Sequence, residues 1–428
     1  MSTTHILELE ITDIDKNGRG IARTDDGLVV FISNTLVGER VRAQLTVRKK
    51  KWAEAKVIKI LQPGKDRVAP PCPVYFKCGG CSLMHIDPAL HKDILIDHIK
   101  NNFKKTAGET VEVRRFVSGA QYNYRNKAQF VFGTHGGSVA LGYYRAGTHN
   151  IVPVTDCMLQ FKEAAVFAET VLNWAEECGV PVYNELTHSG MLRHLLIRKS
   201  SVLLVVNGHK LPNEEKLVRA LKDTGLEFSL HISQNTKKGN RVLGEGCTTL
   251  YGQSSISPLS FLQVNDEIAR KLYGGVEEIL SEIRPKHIIE AYAGIGLISN
   301  IAAKYAERVT AIEIVEEAVE DGKKTAAENV HFICADVSVA LSGLSMQDSV
   351  LILDPPRAGV CQGVIEAILK NPPKHIIYIS CNPSTLARDY ALFKNRYGIL
   401  TLDAYDMFPQ TGHVETLTHL TLKNSSKH

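Results

Sequence analysis

The chain has 428 residues, of which 44% are hydrophobic and 22% are charged, and its formal net charge is +4. This length exceeds what one hydrophobic core usually organises, so we expect two or three domains. The sequence contains no run of about 18 apolar residues, which excludes an ordinary membrane-spanning helix. Its first residues lack the basic start and apolar middle of a signal peptide. We therefore expect a cytoplasmic protein whose nine cysteines form no disulfide framework.

Residues 1–66 predict a small β-barrel. Polar and apolar residues alternate at 7–11 and 41–47, and glycine-containing turns separate these short segments. Several short strands in so few residues are typical of a closed barrel of the oligonucleotide-binding kind. Segments 18–22 and 37–41 also resemble those of the TRAM module, an RNA-binding barrel of RNA-modifying enzymes. A barrel that binds no nucleic acid is the alternative.

The second half of this barrel is basic. Residues 40–70 contain ten Lys or Arg and two Asp or Glu, a local excess of +8. Basic segments attract polyanions such as RNA. The basic run at 48–51, taken alone, is equally well interpreted as a solvated turn between strands.

A cysteine cluster follows the barrel. Cys72, Cys78 and Cys81 lie close together in sequence, and two intervening glycines permit a tight turn, so the three thiols can face one centre. Cys157 is the candidate fourth ligand. Thiolate ligation suits zinc or an iron–sulfur cluster, and the spacing alone does not choose between them. Buried free thiols are the alternative, and we expect the isolated cysteines to be core residues: Cys178, Cys247, Cys334 and Cys361.

Residues 67–256 predict a central α+β domain. A hairpin is expected around residues 136–137, a buried strand at 202–206, and helices near 163–178 and 213–223. Aromatic and basic residues alternate at 124–127 and 143–145, a combination that can stack bases and hold phosphates. Such clusters, taken singly, are more often plain sheet surface.

Residues 257–428 predict alternating strands and helices around a parallel sheet. A strand at 287–292 leads into a turn with Gly294 and Gly296, and Glu313 ends the next strand. This pattern is the nucleoside-binding half of the Rossmann arrangement. The phosphate fingerprint is incomplete, because residue 299 is Ser and Glu290 would repel a pyrophosphate. S-adenosylmethionine, which carries cationic groups, therefore fits better than a dinucleotide; an unliganded sheet is the other alternative.

A thiol and a carboxylate end two further strands of this domain. Asp354 follows an apolar strand and precedes Pro355, Pro356 and Arg357, and Cys381 follows the next such strand. A thiolate that adds to C6 of a pyrimidine makes C5 nucleophilic enough to accept a methyl group. Asp354 can hold the N3–O4 edge of the base, and Arg357 can stabilise charge or bind phosphate. Glu415 is the candidate base for the C5 proton, although its position before a strand does not by itself support this role.

Three segments together carry a resemblance to the RNA (uracil-5-)-methyltransferase family: residues 354–357, 380–383 and 413–416. The resemblance covers nearly the whole chain and implies a barrel, a cluster-bearing α+β domain and a Rossmann-like class I methyltransferase domain. It implies Cys381 as nucleophile and Glu415 as proton acceptor. It also implies a [4Fe-4S] cluster on the four clustered cysteines, with zinc the less favoured occupant. The implied cofactor contacts are Gln263, Tyr292, Gly294, Gly296, Glu313, Asp336 and Asp354.

The likeness is greater to the enzymes of 23S ribosomal RNA than to the shorter transfer RNA enzyme, so ribosomal RNA is the expected partner of a monomeric protein. Leu297 stands where the family commonly has a polar side chain, which puts one cofactor hydrogen bond in doubt. A cytosine-C5 methyltransferase is one alternative, disfavoured because neutral cytosine has no N3 proton for Asp354 to accept. A non-catalytic iron–sulfur RNA-binding protein is the other.

Overall fold

The computed structural model describes residues 5–15, 17–234, 245–252 and 262–423. Contacts divide the chain into two compact units. One contains residues 1–69, 82–119 and 267–428, and the other contains residues 70–81 and 120–266. Residues 82–119 thus group with the barrel and the last domain. The predicted boundaries 1–66, 67–256 and 257–428 do not show this exchange and stay predictions.

The first six strands form the barrel of the first unit. In sheet order they run β1, β5, β6, β4, β3, β2, and β1 and β2 are separated in the chain only by Ile11 and Thr12, so the sheet closes on itself. Inward residues such as Val30, Val41 and Ala53 are fully buried, as the period-two alternation predicts. The strands are β1 (Ile6–Glu10), β2 (Asp13–Ile14), β3 (Gly20–Arg23), β4 (Val29–Ile32), β5 (Arg40–Arg48) and β6 (Trp52–Gln62).

A helix and a short strand connect the barrel to the large sheet of the same unit. Helix α1 (Pro88–Asn102) begins at Asp87, whose carboxylate accepts from the backbone N–H of Ala89 at 2.9 Å. A π-helical turn (Phe103–Ala107) and strand β7 (Arg115–Val117) follow. Leu95, Ile99 and Phe103 are buried in the core on one face of that sheet.

The second unit contains a seven-stranded sheet whose order is β10, β9, β8, β11, β12, β13, β14. Helices α2 and α3 pack on one face, where their apolar residues join the core. The predicted hairpin is confirmed, since His135 pairs with Ser138 across a turn in which both glycines have positive φ. The elements are β8 (Lys127–His135), β9 (Ser138–Tyr144), β10 (Ile151–Pro153), α2 (Glu163–Glu177), β11 (Leu192–Arg198), β12 (Ser201–Val206), α3 (Glu214–Asp223), β13 (Ser229–Gln234) and β14 (Glu245–Tyr251).

The last part of the chain completes the first unit with a sheet ordered β17, β16, β15, β18, β19, β21, β20, β7. Strands β15 to β19 are mutually parallel, and β21 is inserted antiparallel to β19. The elements are α4 (Asp266–Ile283), β15 (His287–Ala291), α5 (Leu297–Ala302), β16 (Arg308–Glu313), α6 (Glu316–Thr325), β17 (Val330–Cys334), α7 (Val337–Gly343), β18 (Val350–Leu353), α8 (Gln362–Lys370), β19 (His375–Ser380), α9 (Pro383–Phe393), β20 (Tyr397–Tyr405) and β21 (Glu415–Leu422).

Both faces of this sheet are buried. Ile289 and Leu351 pack in the core that includes α1, α8 and α9, whereas Ile288 and Ile352 pack in the core that includes α4 and α5. Near-continuous apolar strands are therefore required, and the sequence has them. The predicted architecture, a mixed α/β chain with a barrel first and a Rossmann-like sheet last, is confirmed. None of the described helices is long and apolar enough to cross a membrane.

Two expectations about isolated cysteines were wrong. Cys334 and Cys361 are exposed, because each lies where an element meets a loop: Cys334 ends β17 and Cys361 precedes α8. Cys178 and Cys247 are half-buried and pack against hydrophobic clusters of the second unit.

Strand β7 is fixed to β20 by charge as well as by pairing. Arg114 Nε and Arg115 Nε each donate to the carboxylate of Asp403 at 2.9 Å, and Arg115 also donates to Glu278 at 2.6 Å. Asp403 is only 1% exposed. Its burial is offset by these charge-assisted hydrogen bonds, which raise the pKa of Arg114.

We expect Asp403→Ala to lower the free energy of unfolding by about 2–4 kcal/mol, because it removes the buried acceptor of two guanidinium groups. Urea unfolding monitored by circular dichroism measures this loss. Asp321→Ala is the control, since Asp321 pairs only with the exposed Lys324 and such pairs contribute about 0.5 kcal/mol. Equal effects of the two variants would contradict a special role for Asp403.

Candidate active site

Three predicted catalytic residues lie at one edge of the large sheet. Asp354 follows β18 and Cys381 follows β19, and these parallel neighbours pair through Leu353 and Tyr378. Glu415 is the first residue of β21, which pairs with β19 through Thr416 and Ser380. The antiparallel direction of β21 brings its start to the edge where the parallel strands end. Tertiary pairing thus places a thiol and two carboxylates together.

Burial controls the protonation of these groups. Glu415 is 2% exposed, and burial, reinforced by Asp354, raises its pKa to about 8, although Arg357 opposes this. Burial raises the pKa of the half-buried Asp354 to about 7. Burial also raises the pKa of the Cys381 thiol to about 11, with Glu415 adding to the effect and Arg357 opposing it. The site without ligands therefore favours neutral groups, and a bound cation would favour the ionised ones.

Glu290 is a further buried acid next to this set. It is 1% exposed, it accepts a hydrogen bond from the hydroxyl of Ser299, and burial raises its pKa to about 8. Asp354 and Glu313 contribute to the increase. The sequence identified Glu290 only as unfavourable for pyrophosphate. The structure adds that it joins an acidic cluster, suited to a positively charged ligand.

Helix α9 fixes the loop that carries Arg357. The fully buried Asp389 accepts from the backbone N–H of Val360 at 3.0 Å and from the hydroxyl of Tyr378 at 2.7 Å. The side chain of Asn382 donates to the backbone oxygen of Arg357 at 3.1 Å. The loop after β18 is thereby held to the segment after β19. Sequence reasoning missed Asp389, whose signal is a charged residue on the apolar face of a helix.

A cavity of about 220 Å³ opens beside Cys381. Its walls come from the barrel, from α1 and from the two loops at the edge of the sheet. Sequence reasoning did not assign a role to Asn17, His98 or His413, because they are distant in sequence from the strand ends. The lining residues are Asn17, His98, Arg357, Cys381, Asn382, Pro383, Gly412, His413 and Val414.

The glycine turn after β15 is held by Glu313. The carboxylate of Glu313 accepts from the backbone N–H groups of Gly294, Ile314 and Val315, each at 2.9 Å. Gly296 has φ +76, and a Cβ atom there would lie 2.5 Å from the ring of Phe332. Only glycine fits this close approach, which keeps the backbone open to a ligand.

The other predicted cofactor residues lie around this turn or in the second unit. Tyr292 begins the turn with φ +65, and Asp336 caps α7 by accepting from the N–H of Ser338 at 2.9 Å. Leu297 is 40% exposed, as its apolar side chain at this edge requires an apolar partner or solvent. Gln263 lies in the second unit, where its backbone oxygen accepts from Asn126 at 3.0 Å, and its cofactor contact stays a prediction.

The four clustered cysteines all belong to the second unit and are half-buried. Burial raises the pKa of Cys81 to about 12, and Cys157, Cys78 and Cys72 each add to the increase. These mutual effects identify the four thiols as neighbours. Their sulfur-only donor set fits an iron–sulfur cluster or zinc. Within the described part of the chain, no three His, Cys, Asp or Glu side chains have the arrangement of a single-ion site.

Comparisons with known proteins agree with this architecture. Residues 246–423 match the tRNA (Uracil-5-)-methyltransferase family model, and residues 5–58 match the TRAM domain. An uncharacterized RNA methyltransferase of Caldanaerobacter subterraneus is 35% identical over 439 residues, which is 96% of each chain. One from Clostridium tetani is 32% identical over 98% of this chain and 97% of its own. The chain belongs to the RNA uracil-5-methyltransferase family.

A solved structure shows the same fold. The tRNA (uracil-54, C5)-methyltransferase of Pyrococcus abyssi, in complex with S-adenosyl-L-homocysteine, superposes with a TM-score of 0.74 over 97% of this chain and all of its own, at 23% identity. The predictions of an RNA methyltransferase and of an N-terminal TRAM domain are confirmed. As a member of this family the chain is an enzyme, so a purely RNA-binding role is excluded.

The buried base makes stability depend on pH. In the unfolded chain Glu415 would titrate near 4.5, whereas in the folded chain its pKa is about 8. The stability that the protonated group contributes is therefore present at low pH and is lost as the pH rises through about 8. We expect Glu415→Gln to stabilise the protein relative to the parent increasingly between about pH 5 and pH 9, by up to roughly 3 kcal/mol.

Thermal melting at several pH values measures this difference. Glu316→Gln is the control, because Glu316 is exposed at the start of α6. A Glu415→Gln effect that does not change with pH would show that this carboxyl is not held in its protonated form.

Proposed function

We propose that this protein transfers a methyl group from S-adenosylmethionine to C5 of a uridine in RNA, through a covalent bond between Cys381 and C6. The observation that carries the proposal is the placement of Cys381, Asp354 and Glu415 at one sheet edge, with Cys381 open to a cavity. Neither C6 nor C5 can be reached in a stacked base, so the uridine must rotate out of its helix or loop.

The reaction begins at the thiol. The Cys381 thiolate adds to C6, and the electron pair of the C5–C6 bond moves toward the O4 carbonyl, which makes an enolate. Asp354 accepts from N3–H and holds the ring. Carbon 5 then takes the methyl group from the sulfonium, which leaves S-adenosylhomocysteine. Glu415 accepts the C5 proton, the double bond re-forms, and the thiolate departs.

The electrostatics of the site support this sequence. Arg357 favours the ionised forms of both Cys381 and Glu415. The sulfonium cation would have the same effect on the buried acids Glu290, Asp354 and Glu415, which raise one another's pKa in its absence. Cofactor binding is therefore expected to prepare both the nucleophile and the base.

The turn after β15 supports S-adenosylmethionine as the methyl donor. Glu313 ends β16 as an acceptor for ribose hydroxyls, and Ile314, Leu297 and Val339 present exposed apolar side chains around the same edge. An adenine ring needs such apolar faces. The Pyrococcus abyssi relative is described in complex with S-adenosyl-L-homocysteine, in agreement with this assignment.

We assign ribosomal RNA as the substrate and the cytoplasm as the location of a monomeric enzyme. The TRAM domain and the cysteine cluster are the features that support the ribosomal assignment, because they make the chain resemble the 23S enzymes. Sequencing of 5-methyluridine sites in ribosomal and transfer RNA, from cells with and without the protein, tests it. Loss of a transfer RNA site alone would transfer the proposal to that substrate.

We assign a structural [4Fe-4S] cluster to Cys72, Cys78, Cys81 and Cys157. The mutual effects of these thiols on their pKa values support the assignment. Such a cluster would tie residues 72–81 to the loop that carries Cys157, and it supplies no step of the methyl transfer.

The covalent step is tested with RNA that contains 5-fluorouridine. Because fluorine at C5 cannot leave as a cation, the adduct of the parent protein should persist and migrate as a protein–RNA band after denaturation. Cys381→Ala should form no such adduct. Glu415→Gln should accumulate adduct on unmodified RNA, since proton removal follows methyl transfer. Normal turnover by either variant would remove that residue from the mechanism, and an adduct with 5-fluorocytidine RNA instead would favour cytosine.

The cofactor assignment is tested by calorimetric titration with S-adenosylhomocysteine. Glu313→Ala should weaken binding roughly tenfold or more, because it removes the ribose acceptor and the three hydrogen bonds that hold the turn. Glu316→Ala, three residues away and exposed, should bind like the parent. Equal affinities of all three proteins would show that the ligand does not use this turn.

The cluster assignment is tested by metal analysis after anaerobic purification. We expect about four iron and four sulfide per chain in the parent and far less in Cys81→Ala. Cys361→Ala is the matched control, because Cys361 is exposed on the other unit. Stoichiometric zinc without sulfide would contradict the cluster.

A further inference from the structure

We propose that the cavity beside Cys381 binds an RNA backbone phosphate next to the target uridine, and that His98 is a positioning residue there. The inference deepens the proposed function and rests on it. It concerns a residue of α1 that no sequence motif of the reaction includes. Its basis is the composition of the cavity and the hydrogen bonds that fix the ring of His98.

The cavity lining is rich in hydrogen-bond donors. It contains the guanidinium of Arg357, the imidazoles of His98 and His413, and the carboxamides of Asn17 and Asn382. A phosphodiester offers only acceptor oxygens and one negative charge, so it complements this set. The acids of the site, Asp354 and Glu415, affect Cys381 from outside this lining. The edge of the sheet thus offers different chemistry to the base and to the backbone.

A short chain of hydrogen bonds connects His98 to the catalytic segment. The hydroxyl of Ser384, three residues after Cys381, donates to Asn102 Oδ1 at 2.7 Å. Asn102 Nδ2 donates to the backbone oxygen of His98 at 2.7 Å and lies 3.1 Å from its Nδ1. The backbone N–H of Ser384 in turn donates to Asn382 Oδ1 at 3.2 Å.

This arrangement selects one tautomer of His98. An amide nitrogen only donates, so Nδ1 of the neutral ring is the acceptor and Nε2 carries the proton. The ring of His98 is then a donor at Nε2, the kind of group that phosphate oxygens accept. Because Ser384 begins α9 and Cys381 precedes it, a phosphate held by His98 has a defined position relative to the thiol.

The subsite is assembled from separate stretches of chain. Asn17 comes from the barrel, His98 comes from α1, and Arg357 and Asn382 come from the strand ends. A phosphate in the cavity would contact all three parts of the first unit. The barrel then does more than attract RNA: it completes the place where the backbone beside the target uridine is held.

Three substitutions of His98 test the role of its Nε2 proton. In His98→Gln the side-chain amide can donate from nearly the position of Nε2, in His98→Asn it reaches only the position of Nδ1, and His98→Ala has no donor. Total RNA from cells that lack the protein serves as methyl acceptor, with tritiated S-adenosylmethionine as donor. Lys92→Ala, on an exposed part of the same helix, is the control.

We expect His98→Ala and His98→Asn to raise the apparent KM for RNA roughly tenfold, as the loss of one well-placed hydrogen bond predicts, with kcat changed less than about twofold. His98→Gln should stay within about threefold of the parent. A purely structural role would instead lower the melting temperature and kcat in all three variants without rescue by Gln. That result, or an unchanged KM in every variant, would overturn the proposal.

Inorganic phosphate tests the chemistry of the ligand. At equal ionic strength, potassium phosphate should inhibit the parent more than potassium chloride does, in competition with RNA. The difference should disappear in His98→Ala and persist in Lys92→Ala; an equal difference in all proteins would show that phosphate acts elsewhere. If the parent methylates no RNA, the proposed function itself fails. If the parent methylates RNA and His98→Ala has the same KM, only the phosphate subsite fails.

Discussion

The register of three neighbouring strands is the constraint on which the candidate active site depends. Parallel pairing of β18 with β19 brings Asp354 and Cys381 to one edge, and antiparallel insertion of β21 brings Glu415 to the same edge. A shift of one residue in β21 would turn Glu415 to the opposite face of the sheet. The sheet is buried on both faces, so such a shift would also expose apolar side chains. Stability and geometry are therefore fixed by the same pairing.

This position has an energetic cost. Carboxyl groups at the end of apolar strands lose solvation, and the raised pKa values of Glu290 and Glu415 express that loss. The surrounding structure compensates by rigidity: Asp389 and Asn382 hold the loop of Arg357 with hydrogen bonds from the helix that follows the thiol. A site that strains the fold at neutral pH is held in place by contacts that ligands do not have to supply.

The charges of the first unit are arranged in two groups. Acids surround the glycine turn and the strand ends, where a sulfonium cation and the N3–H of a base would be bound. Donors and a guanidinium line the cavity, where a phosphate would be bound. Arg357 acts on both groups, since it favours the ionised forms of Cys381 and Glu415 and also lines the cavity. Its loop is therefore where the chemistry of the base and the position of the backbone meet.

The sequence by itself determined the elements with strong local signals. Period-two alternation identified the barrel, paired glycines identified the hairpin of β8 and β9, and abrupt polar ends of apolar strands identified Asp354 and Cys381. Each of these signals is local, because side-chain direction and turn geometry depend on a few neighbouring residues. The family resemblance was needed for Glu415, whose surroundings in sequence are unremarkable for a surface residue.

Only the tertiary structure decided what lies beside these residues. The grouping of residues 82–119 with the large sheet, the contribution of Asn17 and His98 to the cavity, and the exposure of Cys334 and Cys361 depend on contacts between distant segments. No local pattern specifies such contacts, because a helix or loop presents the same sequence wherever it packs. The sequence therefore specified the chemistry at the strand ends, and packing specified the walls around it.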